Sequence, residues 1–191
     1  MLRLRNKRRF RLSGAAIMFF LKMLRRDIQL EAHLLGRDMK RHVTDRVMDE
    51  LEGMCLGKKG FVICVVDINE DSIQAGLIDN DTGAVNVTVW CQTIVFRPFN
   101  NEVVDAVVTI ANDETGFFAK VGPLEVFVSR HNMPGDISFD LTKGDSWVSD
   151  DGEIEITEGS VVRLRIMGLT VSADTMSAIG TIQEDYLGFL H

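Results

Sequence analysis

The sequence is short of residues that could build a disulfide framework or a metal site. Its three cysteines, Cys55, Cys64 and Cys91, are widely spaced and form no CxxC pair. Its four histidines show no HExxH or comparable ligand spacing. These absences argue against a disulfide scaffold and a structural zinc, and the scattered cysteines favour a reducing compartment. We therefore expect no metal and no cofactor.

Motifs for catalysis and for membrane spanning are also missing. No apolar run approaches the roughly 20 residues that a membrane span needs. The glycine-rich segment at residues 53–60 lacks the GxxxxGK[ST] order of a phosphate-binding loop and precedes a predicted strand rather than a helix. No nucleophile lies beside a base in a recognisable motif, and the acids at residues 150–153 fit a solvated loop. An enzyme is therefore the class that the sequence favours least.

Negative charge is concentrated in the second half of the chain. The net charge is −7 over all 191 residues. Counting Lys, Arg, Asp and Glu gives +6 for residues 1–17, −2 for residues 18–97 and −11 for residues 98–191. Nucleic-acid binding by the second half would therefore depend on a local basic patch, because the overall field there repels phosphate.

Residues 1–17 form a basic, acid-free extension followed by Met18. Three interpretations stay open: translation that begins at Met18, a mobile basic arm for nucleic acid or nuclear import, and an organelle transit peptide. We treat the segment as an extension that is disordered or not translated, outside the folded domains.

The first half of the chain predicts a small α+β unit. A strand at residues 19–24 precedes a charged break at residues 25–27 and a further short extended piece. Apolar residues then recur every four positions, which predicts a helix between Gly36 and Gly53. The apolar stripe of this helix consists of Met39, Val43, Val47 and Leu51.

Strands complete this first unit. The nearly continuous apolar run at residues 61–68 predicts a central strand that is covered on both faces. Two further strands are predicted at residues 72–78 and 84–90, joined by a polar turn at residues 79–83.

Pro98 marks the boundary between the two halves. A short strand at residues 94–96 stops there, because proline cannot donate to a sheet ladder and biases Arg97 toward an extended conformation. We take residues 96–99 as the domain junction. Beyond it, glycine and proline turns separate strands at residues 102–110, at residues 117–122 and at a third segment ending near residue 130.

The rest of the second half predicts the closing strands of a barrel. Residues 136–140 and the acidic segment at residues 145–158 are expected to form a long polar insertion around Trp147, and strands follow at residues 160–168 and 176–182. Five short strands with glycine turns and one long connection fit a five-stranded OB barrel.

Several blocks between about Met18 and Leu190 occur in an order that resembles the subunit-seven family of DNA-directed RNA polymerase II, the stalk subunits of eukaryotic and archaeal polymerases. None is a chemical motif alone, and their combination makes the resemblance specific. Residues 1–17 match nothing in the family pattern, which favours translation from Met18. The blocks are residues 52–53, 57–62, 94–99, 102–109, 122–123, 127–131, 133–134, 178–182 and 185–188.

The resemblance implies an RNP-like tip domain at residues 18–97 followed by an OB-fold domain at residues 98–191. It implies a non-catalytic nuclear protein that forms a heterodimer with the polymerase's fourth subunit and builds a stalk beside the RNA exit channel. Loops of the tip domain, residues 53–60 and 79–83, would dock on core subunits, including the largest.

The first of these loops also has features of a docking surface without the resemblance. Glycine lets the backbone approach another surface closely, and three apolar residues lie in a loop. A simple strand–turn–strand corner is the alternative. The candidate docking residues are Gly53, Met54, Cys55, Leu56, Gly57, Lys58, Lys59 and Gly60.

OB domains bind single strands through aromatic and basic side chains, and here that platform is incomplete. Phe118 keeps one aromatic, whereas Thr115 and Ser129 stand where the resemblance implies an aromatic residue and a histidine. Core packing is the alternative for Phe118, and a solvated strand face is the alternative for the strand arginines. We expect weak, guiding contacts with nascent single-stranded RNA. The candidates are Phe117, Phe118, Lys120, Arg130, His131, Arg163 and Arg165.

The family pattern also implies residues at the partner subunit or between the two domains, and the sequence leaves these two roles unseparated. They are Phe96, Pro98, Phe99, Tyr186 and Leu187.

Two alternatives to the polymerase II assignment stay open. A paralogous stalk subunit of RNA polymerase III or I would share this architecture. An independent OB-fold RNA-binding protein would fit poorly with the acidic second half and would leave the tip domain without a role.

Overall fold

The computed structural model of the chain describes residues 18–73, 76–113, 115–140, 146–172 and 174–190. The basic extension at residues 1–17 lies outside the described residues. The described chain divides into two compact units, with the division between Arg97 and Pro98. We call them the N-terminal unit and the barrel unit.

The N-terminal unit is a three-stranded antiparallel sheet with one helix on it. In chain order its elements are β1 (Phe19–Leu30), α1 (Met39–Leu51), β2 (Phe61–Ile68) and β3 (Val85–Phe96). The strand order is β1-β3-β2. Helix α1 covers one face of the sheet, and the other face carries no helix among the described residues.

The predicted helix is confirmed. The four-residue apolar spacing becomes a buried stripe of Val43, Val47 and Leu51, which packs on apolar side chains from all three strands. Gly53 follows the helix with a φ of +78°, a left-handed conformation that glycine adopts without steric cost. The amphipathic pattern therefore gave both the helix and the face that it buries.

The expected position of β2 in the sheet is wrong. β2 is an edge strand, and β3 lies in the centre, hydrogen-bonded to both neighbours. Two irregularities in the β2–β3 register interrupt the alternation of β2, so that Ile63 and Val66 are 40% and 53% exposed. Because of these bulges, a continuous apolar run was not evidence of cover on both faces.

β1 is also one strand where the sequence predicted two pieces. It pairs with β3 over twelve consecutive residues without a bulge. Arg25 and Asp27 lie on one face and form an exposed ion pair of 3.6 Å, while Leu24 and Ile28 are buried on the other. The charged break is therefore the solvent side of an alternating strand. The predicted strand at residues 72–78 is wrong in its described part, because Glu70–Ser72 is a 3-10 turn and Ile78 makes an isolated bridge to Val85. Residues 74 and 75 lie outside the described residues.

The barrel unit contains a closed five-stranded barrel, as predicted. Its strands are paired antiparallel except for the parallel contact between the third and the fifth strand of the barrel, which closes it. The barrel strands are β4 (Val103–Asp113), β5 (Gly116–Val121), β6 (Leu124–Ser129), β10 (Val161–Val171) and β11 (Met176–Thr181). Alternate residues point inward, and the interior includes fully buried Phe117, Leu124, Leu164 and Ile166.

The region around Trp147 is not the polar insertion that the sequence predicted. It forms a small antiparallel sheet of β7 (Ile137–Asp140), β8 (Ser146–Ser149) and β9 (Glu155–Ile156). Trp147 has no exposed area, and its ring lies 5.3 Å from that of Phe139. The apolar residues of this segment are few, but the pairing of three short strands places them together.

The last strand, β12 (Gly188–Leu190), pairs antiparallel with the first residues of β10. β10 therefore has β4 and β12 on its two sides at Val161–Arg163, before it pairs with β11 further along.

Within the described part of the chain, no helix has the length and apolarity of a membrane span.

Candidate docking and RNA-binding surfaces

The glycine loop, residues 53–60, is held tightly against the start of β2. The N–H of Gly53 donates to the carbonyl of Val62 at 2.8 Å, and the N–H of Val62 donates to the carbonyl of Met54 at 2.9 Å. The N–H of Leu56 donates to the carbonyl of Gly60 at 2.9 Å. The loop therefore has a fixed backbone, a property that suits a preformed contact surface.

Gly60 is the residue that allows this loop to lie against the sheet. Its φ of +102° and ψ of −170° fall in a region that is essentially restricted to glycine. A Cβ atom at this position would lie 2.3 Å from the carbonyl oxygen of Phe96 and 2.9 Å from Cγ1 of Val95. Close approach of two backbones is therefore the structural reason for this glycine.

Basic side chains gather beside the glycine loop. The ammonium of Lys22 donates to the carbonyl of Lys59 at 2.9 Å, and the guanidinium of Arg26 lies 3.5 Å from the sulfur of Met54. Burial of the Lys22 ammonium, followed by the positive charges of Arg97 and Lys59, lowers the pKa of Lys22 below its usual value. Met54 is 37% exposed beside the guanidinium of Arg26.

The second predicted docking loop, residues 79–83, lies at the other end of the N-terminal unit. The N–H of Asp79 donates to the carbonyl of Ala84 at 2.8 Å, which places this turn directly before Val85 of β3. The glycine loop is joined instead to the strand ends at Phe61 and Phe96. Eleven residues of extended strand, about 36 Å, separate Val85 from Phe96. One small contact surface cannot include both loops.

The helix-free face of the N-terminal sheet is an apolar surface. Phe19, Met23 and Trp90 project from it and are 52%, 54% and 44% exposed. Phe96 lies beside Phe19, with ring centroids 5.4 Å apart, and is buried between it and Phe61. Contiguous exposed apolar side chains of this size are typical of interaction surfaces.

The outer surface of the barrel carries a second apolar group, which we call the outer row. The rings of Phe118 on β5 and Phe127 on β6 are half-buried and lie 4.8 Å apart. Ile110 pairs with Phe118 from β4, and Ile179 pairs with Phe127 from β11, each nearly half exposed. Phe117 has no exposed area and belongs to the barrel interior, so it is not available to stack on a base.

The basic residues predicted to bind RNA differ in how far carboxylates neutralise them. Arg163 donates two hydrogen bonds to Asp105, at 2.7 and 3.0 Å, and these bonds lower the pKa of the Asp105 carboxyl. Arg165 forms an ion pair with Glu184. Lys120 lies directly opposite Glu125 across the β5–β6 pair and is exposed.

Arg130 and His131 follow β6 in a 3-10 turn, and both are exposed. The N–H of His131 bonds to the hydroxyl of Ser129 at 3.4 Å. Phe118 and Lys120 therefore lie on one face of β5, and the turn with Arg130 and His131 follows the neighbouring strand β6. The two strand arginines, Arg163 and Arg165, are paired with carboxylates.

The predicted contact residues also differ in exposure. Phe96 and Pro98 are buried, and Phe99 is 37% exposed. Tyr186 is 95% exposed and has a φ of +67°, a left-handed conformation that is uncommon for a residue with a side chain. Leu187 is half-buried.

No group of three or more His, Cys, Asp and Glu side chains in the described ranges could hold a metal ion. Comparison with known proteins decides the family. A family model described as "SHS2 domain found in N terminus of Rpb7p/Rpc25p/MJ0397" matches residues 25–83.

Relatives match along almost the whole chain. DNA-directed RNA polymerase II subunit 7 of Arabidopsis thaliana is 40% identical over 174 residues, which cover 91% of this chain and 97% of the relative. The chain belongs to the RNA polymerase II subunit 7 family. Subunit rpb7 of Schizosaccharomyces pombe is 41% identical, and RPB7 of Saccharomyces cerevisiae is 37% identical; each match covers 90% of this chain and 99% of the relative.

Within this subunit 7 family fold, sequence reasoning missed two surfaces. The first is the helix-free face, although a signal was present: both alternate sets of residues in positions 19–24 are largely apolar, which indicates a strand with two apolar faces. The second is the outer row, because the two isoleucines that extend the phenylalanine pair come from strands that are distant in sequence. No local pattern could have joined them.

Proposed function

We propose that the chain is a non-catalytic stalk subunit of RNA polymerase II in the nucleus. In this proposal it forms a heterodimer with the fourth subunit, docks on the core enzyme through the glycine loop and makes weak guiding contacts with nascent RNA. The observation that carries the proposal is the collinear match with polymerase II subunits over 90% or more of this chain.

The helix-free face supports the heterodimer. Phe19, Met23 and Trp90 leave large apolar areas in water, and burying them against a partner would be favourable. Arg25 lies opposite Trp90 on this face, so a polar rim is present beside the apolar centre. Tyr186 adds an exposed aromatic side chain in the barrel unit, of the type that is enriched at interface hot spots.

The outer row supports the RNA contact. Phe118 and Phe127 offer ring surface for base stacking, which is worth roughly 1–3 kcal/mol per base. Few free cations accompany them, since the guanidinium groups of Arg163 and Arg165 bond to carboxylates. Phosphate attraction dominates nucleic-acid affinity, so the acidic barrel unit should bind RNA weakly. This is the reason for proposing guidance rather than tight binding.

A tagged pull-down from nuclear extract, read by mass spectrometry, tests the proposal. We expect recovery of the fourth subunit together with the largest subunit of polymerase II. Recovery of polymerase III or I subunits would keep the stalk mechanism and change the enzyme served. Recovery of translation or ribosomal proteins without polymerase would contradict the stalk function and favour an independent OB-fold RNA-binding protein.

A further inference from the structure

The glycine loop is the centre of a basic cluster, which consists of Lys22, Lys58, Lys59 and Arg97. Lys22 reaches the loop from β1 through its bond to the Lys59 carbonyl. Arg97 reaches it from the end of β3, because the Cβ of Arg97 would be 3.1 Å from a Cβ placed on Gly60. Three separate segments of the N-terminal unit therefore bring cations to one place.

Several cations elsewhere in the N-terminal unit pair with carboxylates. Arg41 and Arg46 pair with carboxylates one helical turn away, and Lys40 pairs with Glu70. Lys58 and Lys59 are exposed and make no ion pair with any described residue. The unit contains more acids than bases, so acidic partners were available in its composition. Lys58 and Lys59 therefore place two adjacent cations without a described ion-pair partner at this loop.

The pKa of Lys22 reflects both the burial of its ammonium and the positive charges beside it. Burial and then the charges of Arg97 and Lys59 lower the pKa of Lys22, which means that its ammonium is destabilised in the free chain. An anionic partner would offset the repulsion from Arg97 and Lys59, though not the cost of burying the ammonium. The free chain is therefore in a state that negative charge from outside would stabilise.

We propose that the basic cluster meets an acidic surface of a polymerase core subunit, and that Met54 packs beside that ionic contact. This inference rests on the proposed docking through the glycine loop and names the chemistry of the surface that the loop meets. A protein partner fits better than RNA for two reasons. The loop contains no aromatic side chain for base stacking, and the exposed thioether of Met54, in the same loop as Lys58 and Lys59 and beside Arg26, offers apolar contact.

The test uses the full-length chain with its fourth subunit, titrated with polymerase II core that lacks both stalk subunits. Lys58→Glu reverses one exposed charge of the basic cluster. Arg37→Glu is the matched control, because Arg37 is exposed, makes no ion pair with a described residue and precedes α1, away from the glycine loop. Both variants change the charge by the same amount, and neither side chain is part of the core.

We expect Lys58→Glu to weaken core binding by about tenfold or more and to reduce its salt dependence, since charge-assisted contacts are lost and one repulsion is added. Arg37→Glu should stay within about twofold of the wild type, because it lies outside the contact. Equal affinities of the two variants, with wild-type binding intact, would overturn the inference while leaving the proposed docking in place.

Two further outcomes also decide the matter. If Lys58→Glu left core binding unchanged and instead weakened binding of a labelled single-stranded RNA, the cluster would be an RNA contact and the inference would be wrong. If the wild-type heterodimer itself failed to bind the stalk-free core, the proposed docking would fall, and the inference with it. Circular dichroism of each variant separates loss of contact from loss of fold.

Discussion

Replacing Gly60 with alanine should destabilise the N-terminal unit and leave the barrel unit unchanged. The backbone at Gly60, with φ of +102° and ψ of −170°, costs about 1–3 kcal/mol for a residue with a side chain. The new Cβ would also lie 2.3 Å from the carbonyl oxygen of Phe96. That carbonyl belongs to the central strand, so relieving the overlap costs a further 1–3 kcal/mol or so. We expect a total loss near 4 kcal/mol, to within about 2 kcal/mol.

Gly53→Ala is the matched control in the same loop. Gly53 also has a left-handed φ, of +78°, but nothing lies within 4 Å of the position its Cβ would occupy. Only the conformational cost of about 1–2 kcal/mol applies. At a urea dependence of about 2 kcal/mol/M, the unfolding midpoint should fall by about 2 M for Gly60→Ala and by about 0.5–1 M for Gly53→Ala.

The two tryptophans allow each unit to be followed separately. Trp90 lies in the N-terminal unit and Trp147 in the barrel unit, and the chain has no others. Incorporation of 5-fluorotryptophan gives one fluorine resonance for each, so a urea titration reports two midpoints. Equal shifts for the two alanine variants would refute the steric argument. A shift at Trp147 instead of Trp90 would refute the assignment of Gly60 to the stability of the N-terminal unit.

Three further predictions follow from the surfaces. Asp105→Asn should lower barrel stability at pH 7 by no more than about 1 kcal/mol after solvent screening. Because its bonds to Arg163 lower the pKa of Asp105, the wild-type advantage should persist above about pH 4 and disappear as the pH falls through the lowered value, measured as the difference in urea midpoint. Phe118→Ala should weaken single-stranded RNA binding by about fivefold or more in fluorescence anisotropy, whereas Phe117→Ala should lower barrel stability by about 3–5 kcal/mol; a reversal of the two effects would contradict the assignment of their faces. Met23→Glu should abolish co-purification of the fourth subunit without loss of fold, and full recovery of the partner would contradict its use of the helix-free face.

Elements with strong local periodicity were predictable from the sequence. Helix α1 shows a four-residue apolar repeat, and the first three barrel strands combine β-branched residues with glycine and proline turns. Both signals come from residues that are close in sequence and share one face. The class of the fold followed from these elements and from the resemblance.

Pairing partners were not predictable, and the errors trace to them. The run at residues 61–68 looks central by composition, but bulges at the edge of the sheet expose Ile63 and Val66. Trp147 looked isolated among acids because the side chains that cover it, Phe139 and Ile156, lie on neighbouring strands. The same limit applies to the surfaces: burial of Phe117 and exposure of Phe118 depend on which face of β5 the barrel closes on.

The strand order of the N-terminal unit also has a consequence for the order of folding. β3 is the last strand of this unit in the chain, yet it is the one that joins the other two, because β1 and β2 have no pairing with each other. During synthesis, β1 and β2 leave the ribosome before residues 85–96, so their edges stay unpaired until β3 has emerged. Unpaired strand edges are prone to aggregation. A nascent chain interrupted before residue 85 would therefore have two strands and a helix, and no sheet for them to join.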